Sequence, residues 1–97
     1  MIPFTQYLRP DGRKKMISID RPPEIEALAQ SFLDRGGWFE AEVLTTGHVS
    51  LTACFNMPDG DNDIEIELAQ NGPGVEAAVD RLVRKAAARD DLPGAHP

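Results

Sequence analysis

The chain has 97 residues, 41% of them hydrophobic and 27% charged, with a formal net charge of −6. This size and balance indicate one globular domain with a modest core and exclude the disordered class; the acidic excess weighs against direct binding to nucleic acid or to an anionic membrane. Cys54 is the single cysteine, so no internal disulfide forms, and without an apolar leader or a spanning apolar run the expectation is a cytoplasmic protein.

Residues 4–9 and 14–19 read as two strands around Asp11-Gly12, a tight-turn dipeptide. A two-residue loop there places Arg9 opposite Lys14, Tyr7 opposite Met16 and Phe4 opposite Ile19. Asp20 then reads as the cap of a helix whose first turn accommodates Pro22 and Pro23. Ile25, Leu28, Ala29, Phe32 and Leu33 form its apolar stripe, and Gly36-Gly37 ends it.

Three alternating strands follow. Phe39, Ala41 and Val43 are the inward set of the first, and Val49, Leu51, Ala53 and Phe55 that of the second. Pairing Val43 with Val49 leaves the loop Thr45-Thr46-Gly47, with glycine where a positive φ is needed. A two-residue Asp59-Gly60 turn then pairs Phe55 with Ile64, Ala53 with Ile66 and Leu51 with Leu68, apolar to apolar. Asn71-Gly72-Pro73-Gly74 precedes a second helix with Val75, Ala78, Val79, Leu82, Val83 and Ala86 at helical spacing. Two prolines, a glycine and no periodicity mark 90–97 as a flexible C-terminal tail, which leaves 1–89 as a single α+β domain.

The element order β-β-α-β-β-β-α predicts a two-layer sandwich: a mainly antiparallel sheet, two helices on one face, and the other face open. On the open side the alternation sets Glu40 and Glu42 from one strand and Asp63, Glu65 and Glu67 from another. No lysine or arginine lies between Arg35 and Arg81, so this face reads as acidic. Its rows are Glu40–Thr52–Glu67, Trp38–Cys54–Glu65 and Glu42–Ser50, with Glu40 and Glu67 about 10 Å apart across two strand spacings. Trp38, the only tryptophan, falls on the same side as a large rigid anchor.

Other motifs carry less. Asp59-Gly60-Asp61-Asn62-Asp63 begins like a calcium loop, but Ile64 stands at the glycine position and Gln70 at the bidentate glutamate position. His48 and Cys54 are six residues apart along one strand, about 20 Å and too far for a nucleophile pair. The α-β-β-β-α segment resembles the layout of double-stranded-RNA-binding domains. Where that family carries its basic cluster, at the start of the second helix, this chain has Gly72-Pro73-Gly74-Val75-Glu76, so neither membership nor RNA binding is inferred.

The resulting expectation is a small non-enzymatic interaction module that presents an acidic β face to a basic protein partner through Trp38, Glu40, Glu42, Asp63, Glu65 and Glu67. An acidic decoy that imitates nucleic acid and a structural homo-oligomer are the alternatives. No catalytic residue, metal site or cofactor is expected.

Overall fold

The computed structural model describes residues 1–8, 11–70 and 72–93. Seven elements follow in chain order: β1 (Ile2–Leu8), β2 (Arg13–Ile19), α1 (Pro23–Asp34), β3 (Trp38–Val43), β4 (Val49–Cys54), β5 (Asp63–Ala69) and α2 (Pro73–Ala88). The strands make one mixed sheet in the spatial order β2-β1-β3-β4-β5. β1 and β3 are parallel and the other neighbouring pairs antiparallel. The sequence left the first hairpin unplaced. Its position follows from α1, which returns the chain so that β3 runs alongside β1 and leaves β2 at the edge.

One face of the sheet is covered by both helices. Ile2 and Phe4 from β1, Phe39 and Ala41 from β3, and Leu51 and Ala53 from β4 meet Ile25, Ala29 and Phe32 of α1 and Ala78, Val79, Leu82, Val83 and Ala86 of α2, all buried. Phe32 is at the centre, with its ring centroid 5.2 Å from that of Phe39 and 6.1 Å from that of Phe55. Its ring also explains Gly37: a β-carbon there would sit 2.3 Å from a Phe32 ring carbon, so only glycine lets the chain leave α1 this tightly. Beyond α2, Leu92 inserts into the same core. No helix among the described residues is long and apolar enough to cross a membrane.

Polar contacts join the elements at the rim. Arg21 is only 15% exposed; it donates to Asp80 at 2.7 and 2.9 Å and also pairs with Glu76, tying the start of α1 to α2. The guanidinium holds the Asp80 carboxyl below its usual range. Asp20 does not cap α1. The helix begins after Pro22, whose carbonyl accepts from Ile25 and Glu26, and no side chain caps it.

Two of the three expected registers differ. In the first hairpin Tyr7 lies opposite Lys14, Thr5 opposite Met16, Phe4 opposite Ile17 and Ile2 opposite Ile19. The shift is two residues, which keeps every side chain on its expected face. It also pairs Ile2 with Ile19 and sets the Lys14 ammonium 5.4 Å from the Tyr7 ring centroid, in place of the like-charged Arg9–Lys14 opposition; Arg9 itself lies outside the described residues. The β3–β4 register is the expected one, Val43 opposite Val49, with Gly47 at φ 88° in the turn.

The β4–β5 register is displaced by one residue over most of its length. Thr52 faces Ile66, Leu51 faces Glu67 and Ala53 faces Glu65, while Cys54 faces Asp63. Ile64 is therefore the extra residue of a β-bulge. A bulge sets two successive residues on one side and inverts the alternation beyond it. Ile64 packs against the core and Ala69 is buried in it, whereas Ile66 and Leu68 are each 57% exposed. The expected all-acidic open face is not what forms.

Candidate partner-binding face

The open face is built from all five strands. From β3 it receives Trp38, Glu40 and Glu42, opposite Cys54, Thr52 and Ser50 of β4 as the sequence implies. β1 adds Thr5 beside Glu40 and Tyr7 beside Glu42. The row through Glu40 thus runs Met16, Thr5, Glu40, Thr52, Ile66, and the row through Glu42 runs Lys14, Tyr7, Glu42, Ser50, Leu68. Ile66 occupies the place expected for Glu67, and Leu68 extends the row through Ser50.

Glu40 is the centre of a short polar network. The Trp38 indole donates to its Oε2 at 2.7 Å and the Tyr7 hydroxyl donates to the same oxygen at 3.3 Å. Trp38 therefore lies along the face, its N–H satisfied by the strand that carries it. The thiol of Cys54 donates to Asp63 Oδ1 at 3.6 Å. Glu40, Cys54 and Asp63 bring one potential ligand atom each within 4.8 Å of one another. The thiol is fully buried, and burial, followed by the adjacent carboxylates, raises its pKa well above that of a free cysteine. That shift is opposite in direction to the one that activates a nucleophilic cysteine. Burial and the Glu40 carboxylate likewise push the Tyr7 hydroxyl upward.

Of the six residues expected on this face, Trp38, Glu40, Glu42 and Asp63 are present. Glu65 and Glu67 are not; they lie on the helix side. There Arg81 Nε and Lys85 Nζ hold Glu67 at 2.6 and 2.5 Å, and Arg89 Nη1 lies 3.3 Å from Glu65. The Glu67 side chain is only 11% exposed, and the hydrogen bonds from Lys85 and then Arg81 hold its carboxyl below the ordinary glutamate range. Arg89 continues to Asp91, at 2.7 Å, whose carboxyl it holds down at about 2. Glu40 and Glu67 thus face opposite sides of the sheet and cannot act on one substrate.

Sequence reasoning took Ile66 and Leu68 for core and did not see Tyr7 as a neighbour of Glu40. A signal for the first error was present. Arg81 and Lys85 are four residues apart and form one basic flank of α2, and Arg89 follows at its C-terminal end. A basic helix flank above an edge strand calls for acidic residues on the helix side of that strand. The acidic turn before β5 is occupied with its own backbone: Asp59 accepts from the Asp61 amide at 3.0 Å, Asp61 from Asp63 at 3.4 Å, and Asn62 from Met57 at 3.3 Å. Among the described residues two surface depressions lie around the β3–β4 turn, one lined by Thr46, Gly47, His48 and Gln70 and one by residues 42–46. Neither is lined by Trp38, Glu40 or Asp63. No protein-family model, curated protein or solved structure matches this chain.

Proposed function

We propose that this protein is a small non-enzymatic interaction module whose open sheet face docks a basic, partly apolar segment of a protein partner. The observation behind this reading is a difference in neutralisation between Glu40 and Asp63 on one face and Glu65 and Glu67 on the other. Glu67 has two cationic partners from α2, and Glu65 has Arg89 just past the end of that helix. Glu40 and Asp63 accept only from neutral donors, the indole, the phenol and the thiol, and neither is in an ion pair among the described residues. Unneutralised carboxylates beside Trp38, Tyr7, Ile66 and Leu68 suit a partner that brings arginine or lysine together with apolar side chains. In this reading Trp38 is the anchor, Glu40 and Asp63 supply the charge with Glu42 beside them, and Glu65 and Glu67 play no part.

The decoy reading has less support, because two of the five carboxylates it relies on are turned away and paired. The docking reading is tested by parallel affinity capture on the wild type and a Glu40→Gln/Asp63→Asn double variant, eluted with salt. A basic protein retained by the wild type, released by salt and lost from the variant is expected. Purified, it should also shift the emission of Trp38. Equal retention by both baits would overturn the reading.

A further inference from the structure

The sheet has two free edges, β2 and β5. Each presents a row of unpaired backbone groups that another strand can extend. The two are guarded differently. β2 carries Arg13, Lys14 and Lys15 in succession, all exposed, so a second β2 brought alongside meets like charge. β5 has no such guard. Its helix-side carboxylates are neutralised by Arg81, Lys85 and Arg89, and on the other side it exposes Ile66 and Leu68.

The bulge limits where a strand can add. Arg89 Nη1 donates to the carbonyl of Ile64 at 2.8 Å and closes that end of the edge. The stretch left open is 65–69, which is centred on Glu67. An antiparallel copy of the same stretch matches it by symmetry: Ile66 of one protomer lies opposite Leu68 of its partner, and the same contact repeats across the two-fold axis. On the helix side the two Glu67 carboxylates meet among four cationic groups, Arg81 and Lys85 from each protomer.

Packing two open faces together is the poorer arrangement. β3 is the middle of the five strands, so a two-fold axis through the centre of two such faces stacks β3 on its copy and brings Glu40 towards Glu40, like charge to like charge.

We propose that the chain forms a two-fold dimer by antiparallel pairing of residues 65–69 of β5, joining two five-stranded sheets into one. The occupant of the edge is a second copy, chosen by the matched apolar pair and by the absence of net charge along the strip. Each Glu67 cluster, one carboxylate with two cations, is offset by the adjoining Glu65–Arg89–Asp91 set, one cation with two carboxylates, so the strip is neutral in sum and the association is only weakly salt-dependent. A hairpin-to-acidic-face assembly would dissociate in salt.

Sedimentation over a range of concentrations tests this. The wild type should reach the mass of two chains and keep it at high salt. Leu68→Lys, at an exposed position, should fold normally by circular dichroism and sediment as one chain. Met16→Lys, at an equally exposed site on the opposite edge, should remain a dimer. A wild type that stays a single chain at every concentration would overturn the proposal, as would dissociation by Met16→Lys but not by Leu68→Lys. The register has its own test in a Cys54→Ala background. Mixed in equal amounts, Ile66→Cys and Leu68→Cys proteins should oxidise to the heterodisulfide well beyond the twofold excess over either homodisulfide that random pairing gives, and the random ratio would overturn this pairing. Capture of a foreign strand on β5 by a single-chain protein would remove the second copy as occupant. The Glu40→Gln/Asp63→Asn variant should still dimerise, which separates failure of this inference from failure of the open-face reading.

Discussion

β3 and β5 look alike as sequence and behave differently in the fold. Each alternates glutamate with apolar residues, Phe39-Glu40-Ala41-Glu42-Val43 in one and Ile64-Glu65-Ile66-Glu67-Leu68 in the other. In β3 Phe39 and Ala41 go to the core and the glutamates to the open face, while Val43, expected inward, is exposed at the strand's end. In β5 the glutamates go under α2, and Ile66 and Leu68 go to solvent. The difference lies in their surroundings. β3 is flanked on both sides and its inner residues meet Phe4 and Phe32, so only apolar side chains fit there. β5 is an edge strand below the basic flank of α2, where a carboxylate gains two charged hydrogen bonds and an isoleucine would displace them. The alternation of a strand states that its two faces differ; its neighbours decide which face is which.

The contrast can be broken most directly at two leucines that the regular register would place opposite each other. Leu51→Ala, at a site 1% exposed, should cost about 2–5 kcal/mol in denaturant unfolding. Leu68→Ala in dilute protein should cost no more than about 0.5 kcal/mol. Equal costs would mean that β5 has no bulge and that Leu68 is core. The next largest effect concerns charge. Glu67→Gln should lose about 1 kcal/mol, because Arg81 and Lys85 lose their shared partner, whereas Asp63→Asn on the open face should be close to neutral.

Acid sharpens the same comparison. The folded-state pKa of Glu67 is depressed below its ordinary value of 4.5. Its contribution is therefore complete above that value and is lost as pH falls towards the folded pKa. Urea midpoints should decline through this acidic window for the wild type, and Glu67→Gln should flatten the decline. A parallel decline in both proteins would place the acid sensitivity elsewhere, with Asp80 and its Arg21 partner the next site to change. The smallest effect belongs to Glu40→Gln. The amide still accepts from Trp38, so stability should change by less than about 0.5 kcal/mol while the emission of Trp38 shifts. A large loss of stability would make Glu40 a structural residue.

Much of this protein was decided locally and is legible in the chain. Helical spacing from Ile25 to Leu33 and from Val75 to Ala86, and Gly47 in the β3–β4 turn, depend on near neighbours in sequence, and the structure follows them. The pairing of Glu40 with Thr52 and of Trp38 with Cys54 came from the same source, since a short loop of known chemistry sets its own register. What remained for the tertiary structure was everything set by partners distant in the chain. The place of the first hairpin depends on the parallel contact between β1 and β3, which no turn residue encodes. Its two-residue shift reflects an ion–aromatic contact and an isoleucine pair in place of an opposed arginine and lysine. The bulge at Ile64 exists because α2, arriving after β5, lays Arg81, Lys85 and Arg89 over it. A one-residue slip leaves the composition of a strand unchanged and exchanges its faces, so the candidate site kept four of its expected residues, lost two and gained exposed apolar neighbours.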